Sequence, residues 1–284
     1  MAVVLPAARA ATTDGTASAV SETPVRVTLT LPFFGTSNAV SDSANVTNMG
    51  AGPDADLAPD LQVDWARQFG PVRLTTILDT TAERFPRHPS ESSDSIFGSI
   101  RLALTDGVSE RFVPFVLYRA GMDFTPLLAT RQDTLQYLAA GVRTGFGLTA
   151  AGAMIGRRDA DKPGQTAIWL EAQAGRRFAN PADLDLVYAQ VKGPVQYTVT
   201  PTVQLTFAPT VRGRHYDLYY GSPRQDLFLE LEGTVAWTPS WLTKVNPDAE
   251  LDFVVTFDRN LSTYSSARYV SWTGGPQIML GWRF

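Results

Sequence analysis

The chain contains no cysteine, which excludes a disulfide framework and any metal site built from thiolates. Histidine is nearly absent too, and only His88 and His215 occur. No run of about 18 apolar residues is free of charge, which excludes a helical membrane span. The formal net charge of -4 argues against nucleic acid as the main partner. The fold must therefore be inferred from how the apolar residues are distributed.

Charge is also scarce along the chain. Charged residues make up 18% of the sequence, whereas hydrophobic residues make up 44% and aromatic residues 11%. The charged share is below the roughly 25% that is typical of soluble globular domains. Low charge with many aromatics fits a protein whose apolar residues are spread singly along strands. A transmembrane β-barrel conceals its hydrophobicity in this way.

The N-terminal residues have the features of an export signal. Residues 1–10 are predicted to be the remnant of a signal peptide, because Ala8-Arg9-Ala10 has the small-x-small form of a cleavage site. A basic region and a full apolar stretch are missing, so we expect the signal to be truncated at its start. Residues 11–23 are predicted to be a flexible periplasmic lead-in, and 24–284 the barrel domain.

Apolar and polar residues alternate with a period of two in many segments, which predicts strands with one apolar and one polar face. The longest run, 197–211, is interpreted as one strand about 50 Å long, longer than soluble sandwiches use. The segments predict an all-β, antiparallel, up-and-down transmembrane barrel of about twelve strands, with ten or fourteen as alternatives. We expect the strands near 25–34, 59–68, 71–81, 95–105, 110–121, 133–143, 146–156, 165–176, 196–212, 226–238, 250–260 and 275–284.

The connections are expected to differ in length between the two ends of the barrel. Short turns are predicted at 70–71, 105–107 and 246–248, and longer polar loops at 35–58, 82–94, 157–164 and 218–226. The middle third of the chain alternates poorly. There, 181–192 fits a capped helix as well as it fits a strand.

The end of the chain, Gln277-Ile278-Met279-Leu280-Gly281-Trp282-Arg283-Phe284, resembles the assembly signal of bacterial outer-membrane proteins. In that family the last strand alternates apolar residues and ends in phenylalanine, with an aromatic residue two positions earlier. Ile278, Leu280, Trp282 and Phe284 match this pattern residue by residue. The resemblance implies a bacterial outer-membrane location, contact with outer-membrane lipids and lipopolysaccharide, and recognition by the barrel-assembly machinery. No subfamily is identified.

Along each predicted strand, aliphatic residues occupy one set of alternate positions and charged residues the other, as a strand in a bilayer requires. We call these two sets, the odd and the even positions, the parities of the strand. Two interpretations of the charged parity fit: an open pore with acidic and basic walls, or a closed barrel filled by ion pairs. The residues predicted to line the lumen are Arg26, Asp64, Arg73, Asp79, Arg101, Arg119, Glu171, Arg212, Glu230, Glu232, Asp252, Asp258 and Arg283.

The favoured function is a narrow channel or transporter for small solutes. The alternatives are an outer-membrane lipid hydrolase or modifying enzyme, and a structural barrel or the barrel end of an export system. His88 and His215 are the only candidate catalytic residues for the hydrolase, and both are more typical of solvated loops. Asp54-Ala55-Asp56 is likewise interpreted as a solvated loop rather than a cation site. No metal or cofactor is predicted.

Overall fold

The computed structural model describes residues 25–37, 53–105, 111–157, 160–219 and 221–284. The predicted signal remnant and lead-in lie outside the described residues, as do 106 and 107 of one predicted turn. Within the described ranges, no helix has the length and apolar character needed to cross a membrane. The strands are β1 (Val25–Pro32), β2 (Phe34–Thr36), β3 (Asp54–Asp56), β4 (Asp60–Phe69), β5 (Val72–Glu83), β6 (Ser93–Leu104), β7 (Val113–Phe124), β8 (Arg131–Leu148), β9 (Met154–Ile155), β10 (Thr166–Asn180), β11 (Leu186–Lys192), β12 (Val195–Thr200), β13 (Val203–Tyr219), β14 (Ser222–Trp237), β15 (Glu250–Ser262) and β16 (Tyr269–Arg283).

These strands form a closed antiparallel barrel with 12 positions around the ring, as the alternation predicts. We call each position a stave, whether it consists of one strand or includes a second, short one. Closure comes from β1, which pairs with β4 on one edge and with β16 on the other. Four strands are short additions to the staves. β2 and β3 lie beyond the ends of β1 and β4, β9 pairs only with β8, and β12 follows β11 between β10 and β13. The count agrees with the prediction, but the predicted strand at 146–156 is not found, and the predicted strand at 196–212 covers parts of two staves.

The last strand closes the ring through the residues of the assembly-signal pattern. Ile278, Leu280 and Trp282 are opposite Leu31, Leu29 and Val27 of β1. The amide of Phe284 donates a hydrogen bond to the carbonyl of Val25 at 3.0 Å. We call this end of the barrel the terminal rim, and the other end the opposite rim.

The predicted single strand over 196–212 is wrong, because the chain reverses direction inside it. β12 ends at Thr200, a turn occupies Pro201 and Thr202, and β13 begins at Val203. The register shifts between Thr198 and Thr200. Because of this shift, even-numbered residues of β12 pair with even-numbered residues of β13, as in Thr198 opposite Gln204. The odd parity therefore stays on one face through the reversal, and alternation alone cannot reveal the turn.

The opposite error occurs in β8. The predicted strands 133–143 and 146–156 are one strand as far as Leu148, and most of the second is a connection. Glycines at 141, 145 and 147 weaken the apolar alternation there. These positions have no room for a side chain: a Cβ at Gly141 would lie 2.7 Å from the ring of Phe115. The glycines thus mark close packing inside a continuous strand.

Several predicted connections are also corrected. The helix suggested for 181–192 is a 3-10 turn, Ala182–Leu184, followed by strand β11. The loop predicted at 218–226 is a tight hairpin end, because β13 and β14 continue to Tyr219 and Ser222. The turn predicted at 246–248 belongs to a longer connection with a helix, α1 (Ser240–Thr243). The long 149–165 connection lies at the terminal rim, and so does the two-residue turn at 70–71. The prediction of short turns at one end of the barrel and long loops at the other is therefore wrong.

Candidate functional site: the barrel interior

Alternate side chains of each stave point into the barrel. In β14, Asp226, Glu230 and Glu232 are buried, whereas Leu227 and Leu231 on the other parity are 42% and 43% exposed. Buried charged groups face other protein groups, since leaving them in an apolar environment is very costly. The charged parity therefore faces the interior, and the aliphatic parity faces outward.

An ion pair joins two non-adjacent strands inside the barrel near the terminal rim. Nη2 of Arg101 on β6 lies 2.9 Å from Oε2 of Glu171 on β10, and the side chains are 25% and 23% exposed. β7 and β8 separate these two strands, which places their backbones about 14 Å apart along the wall at ~4.8 Å per strand. The two side chains meet only because both extend into the lumen. Arg101 also lies over the ring of Phe115, 3.7 Å from its centroid.

A second ion pair skips one stave. Arg119 on β7 contacts Asp79 on β5 at 2.9 Å, with 7% and 15% of the side chains exposed. The guanidinium of Arg119 also lies 4.4 Å from the centre of the Phe97 ring on the intervening strand β6. This pair is more deeply buried than Arg101–Glu171, so each charge depends on the other for compensation.

The predicted acids of β14 and β15 form a strip on the inner wall. Glu230 is opposite Asp258 in the register of the two strands. Glu232 and Asp252 are buried, and Gln277 donates a hydrogen bond to Asp252 at 3.0 Å. On the other side of β14, the Nε of Arg212 donates to Gln190 at 2.6 Å. Arginine and acids thus stand on adjoining staves of one wall.

The remaining predicted lumen residues lie toward the terminal rim. Arg26 is opposite both Asp64 and Arg283 in register. Arg283 donates instead to Asp248 in the α1 connection, at 2.8 Å, and 41% of its side chain is exposed. Arg73 is opposite Gln68, next to the turn at 70–71. The structure therefore divides the predicted set between ion pairs inside the lumen, an acidic strip and the terminal rim.

The described residues of the 149–165 connection pack against the inner wall at the terminal rim. A Cβ at Gly147 would lie 2.5 Å from the Cβ of Ala160 and 2.8 Å from the carbonyl oxygen of Gly156. The guanidinium of Arg157 lies 5.4 Å from the centre of the Trp169 ring. Glycine is needed here because the connection approaches the wall too closely for any side chain. The connection narrows this end of the barrel.

A cluster of tyrosines lies toward the opposite rim, and the sequence pattern did not predict it. The rings of Tyr216 and Tyr219 meet edge to face at 5.3 Å, and Arg224 lies 4.7 Å and 4.3 Å from their centres. Arg224 is held by two hydrogen bonds to Asp226, at 2.8 Å and 2.5 Å. The alternation of Arg224 with Asp226 was the available signal, but it fell in the segment interpreted as a loop.

His88 lies in the loop between β5 and β6 with 29% of its side chain exposed, and a buried acid anchors it there. Its Nδ1 lies 3.0 Å from Oδ2 of Asp54, whose side chain is only 1% exposed. The backbone amides of His88 and Arg87 both donate to the same carboxylate at 2.9 Å. Asp54 is therefore the anchor of the loop between β5 and β6, and its interpretation as part of a solvated loop is wrong. In the described part of the chain, no serine hydroxyl is hydrogen-bonded to either histidine.

His215 lies on the outward parity of β13 rather than in a loop. Its side chain is 46% exposed and its Nε2 lies 3.4 Å from Asp217. No contact joins it to His88 among the described residues. As for metals, those residues include no group of three or more His, Asp or Glu side chains placed to hold an ion.

The outer surface decides the class of protein. Large apolar side chains are exposed in the middle of most staves of the ring, whereas a soluble monomer rarely exposes a contiguous patch beyond a few hundred Å². A ring of this kind leaves no unpaired strand edge, as hydrocarbon requires. The chain is a transmembrane β-barrel of the outer-membrane type. The exposed residues include Leu78, Ile100, Val116, Leu138, Leu170, Val211, Leu231 and Phe253.

Comparisons with known proteins find similarity only among solved structures, at low sequence identity. No family model and no curated protein matches the sequence. Among solved structures, the NanC porin is similar at 8% identity with a TM-score of 0.44, covering 90% of this chain and 99% of its own. LpxR from Salmonella typhimurium is similar at 7% identity and 0.45, with 90% and 99% covered. The translocator domain of the autotransporter NalP from Neisseria meningitidis is similar at 10% identity and 0.40, with 95% and 90% covered.

Proposed function

We propose that this barrel acts in the outer membrane as a narrow channel for small solutes. The observation that carries the proposal is the polar interior that solvent still reaches. Arg101 and Glu171 keep about a quarter of their side-chain surface exposed although they pair with each other inside the lumen. Gln173, Gln190 and Asp258, which face inward near the middle of their staves, are also only half-buried. Polar groups in contact with water along the interior support a wet passage.

Charges of both signs line that passage. Arg212 of β13 adjoins the acidic strip of β14, and elsewhere on the ring Arg26 of β1 is opposite Asp64 of β4 in register. Adjacent cationic and anionic groups create local fields along the lumen, which orient polar solutes and set ion preference. We propose that the predicted lumen residues act in this way, as the walls of the passage.

The width of the interior favours small solutes over export of a polypeptide. The contact between Arg101 and Glu171 projects into the lumen over a quarter of the ring, and the 149–165 connection packs against the wall at Gly145 and Gly147. A polypeptide would have to displace both. Small hydrated solutes need only pass beside the ion pair, which supports the channel over the export alternative.

Single-channel recording in planar bilayers tests the channel. We expect the wild-type barrel to conduct, and Arg101→Gln with Glu171→Gln to conduct more, because this ion pair is lost. Arg67→Gln is the matched control, since Arg67 is exposed on the outward parity near the terminal rim. It should leave the conductance unchanged. A folded wild-type barrel that never conducts would refute the proposal.

A lipid hydrolase remains the second candidate because of the contact between His88 and Asp54. A buried carboxylate bound to Nδ1 fixes an imidazole in the way that a catalytic base needs. Against it, Asp54 also binds two backbone amides of its own loop, which is a structural role. Release of fatty acid from outer-membrane lipid, abolished by His88→Ala and retained by His215→Ala, would establish the enzyme.

We further propose that the barrel-assembly machinery recognises the last strand. The support is the match of Ile278, Leu280, Trp282 and Phe284 to the assembly signal, together with their position on the strand that closes the ring. The terminal residues remain accessible, since Trp282 and Phe284 are 40% and 69% exposed. A recognition signal must be available in this way before the last strand pairs with the first.

A further inference from the structure

Two arginines on neighbouring segments line one groove on the outer face at the opposite rim. Arg259 is on the outward parity of β15 and is opposite Val270 of β16. Arg268 precedes Val270 by two residues, so it occupies the diagonal position across the strand pair, within reach of a long side chain at about 7–8 Å. Its Nε donates to the carbonyl of Ser262 at 2.7 Å, which holds the guanidinium at this place.

Neither guanidinium has an acidic partner within the described ranges. This distinguishes the pair from Arg176, which is also exposed on the outward parity but lies 3.9 Å from Asp217. Two like charges at neighbouring cross-strand positions repel each other. An anion that both arginines contact removes the repulsion and supplies the missing partner.

The arginines border a groove of about 570 Å³ whose lining also includes Leu261 and Val270. Both apolar residues are exposed, at 39% and 52%. Farther from the rim on the same face, the rings of Phe257 and Trp272 pack with their centres 4.7 Å apart. The groove is therefore cationic at the rim and continues into an apolar surface along the staves.

We propose that this groove binds the phosphate group of a membrane lipid, with its acyl chains along Val270 and Trp272. Guanidinium groups suit phosphate because their donors match its oxygens in pairs. The source is a lipid rather than free phosphate, because the cations lie on the lipid-facing parity directly above an apolar surface. The proposal is independent of the channel, since no residue of the groove contributes a side chain to the ion pairs inside the lumen.

Native mass spectrometry of the full barrel in detergent tests the site, with dioleoyl phosphatidic acid as the probe and dioleoyl phosphatidylcholine as its comparison. We expect tighter retention of phosphatidic acid by the wild type. Arg259→Gln with Arg268→Gln should weaken retention about 25-fold, at roughly fivefold for each charge next to an anionic lipid. Arg176→Gln is the matched control, because it removes an outward arginine that already has a partner, and it should retain the probe like the wild type.

Three results would overturn the proposal. The first is equal retention of the two lipids, and the second is an equal loss in Arg176→Gln, which would indicate general surface charge. The third is displacement of the lipid by inorganic phosphate at the same concentration, which would indicate a free-anion site. Altered migration after boiling confirms that each variant was folded. If the double variant does not fold, Arg259→Gln alone carries the test, with an expected loss of about fivefold.

Discussion

Two leucines on the outward face of β14 can test whether this face lies in the membrane, because they are equally exposed but lie at different depths. Leu231 and Leu227 are both on the outward parity and are nearly equally exposed, at 43% and 42%. They differ in depth. Leu231 lies near the middle of the outward apolar positions of β14, which run from Leu227 to Trp237, whereas the outward position before them is Gln225. Leu227 stands at the end of that run, four residues nearer the opposite rim, which is about 10 Å along the axis for a tilted strand.

Replacing each leucine with arginine should therefore have unequal effects. Near the midplane of a bilayer, an arginine on the lipid face costs about 2–4 kcal/mol, and the cost falls to ~0–1 kcal/mol at the interface. We expect Leu231→Arg to reach the larger figure and Leu227→Arg to cost clearly less. At about 1.4 kcal/mol per factor of ten, a loss of 3 kcal/mol lowers the ratio of folded to unfolded protein by a factor of more than 100.

Reversible urea unfolding in lipid vesicles, followed by tryptophan fluorescence, measures both variants against the wild type. Leu231→Ala controls for the lost aliphatic surface, so that the remaining difference belongs to the charge. If the two arginine variants lose the same free energy of unfolding, the assignment of this face to lipid is refuted. Substitutions at two equally exposed sites in water would change the free energy of unfolding by similar small amounts.

Three further predictions rest on other parts of the barrel. Polar substitution of Phe284 and Trp282 should lower the amount of folded barrel in the outer membrane, measured by the share that migrates differently without boiling; a normal share would make the resemblance to the assembly signal accidental. Gly121→Ala should lower the free energy of unfolding by about 1–3 kcal/mol, because its new Cβ would overlap the ring of Phe97 and the carbonyl of Ile96, whereas Gly213→Ala, with nothing within 4 Å of its Cβ, should be nearly neutral. Glu232→Asn should leave the barrel folded and reduce its preference for cations in reversal-potential measurements, and an unchanged preference would remove the acidic strip from the proposed ion path.

Local alternation was enough to predict the architecture. The side-chain period of a strand is two whatever its partner is, so the apolar parity of β14 and β15 could be assigned to the outer face before any pairing was known. The closing strand was predicted for a related reason, since the alternation from Ile278 to Trp282 is uninterrupted. The same rule failed at Pro201, where a register shift keeps the parity constant through a reversal. It failed again in β8, where inward glycines remove the pattern without ending the strand.

Contacts inside the lumen were decided only by the tertiary structure. The sequence placed Arg101 and Glu171 on the inward parity, but their meeting depends on the order of four staves and on the register between each pair. The anchoring of His88 by Asp54, 34 residues away, depends in the same way on where a loop folds back over the barrel. A period of two fixes which face a side chain occupies, and it carries no information about its height in the barrel or its neighbour across it. Those come from strand register and ring closure, which are properties of the assembled sheet.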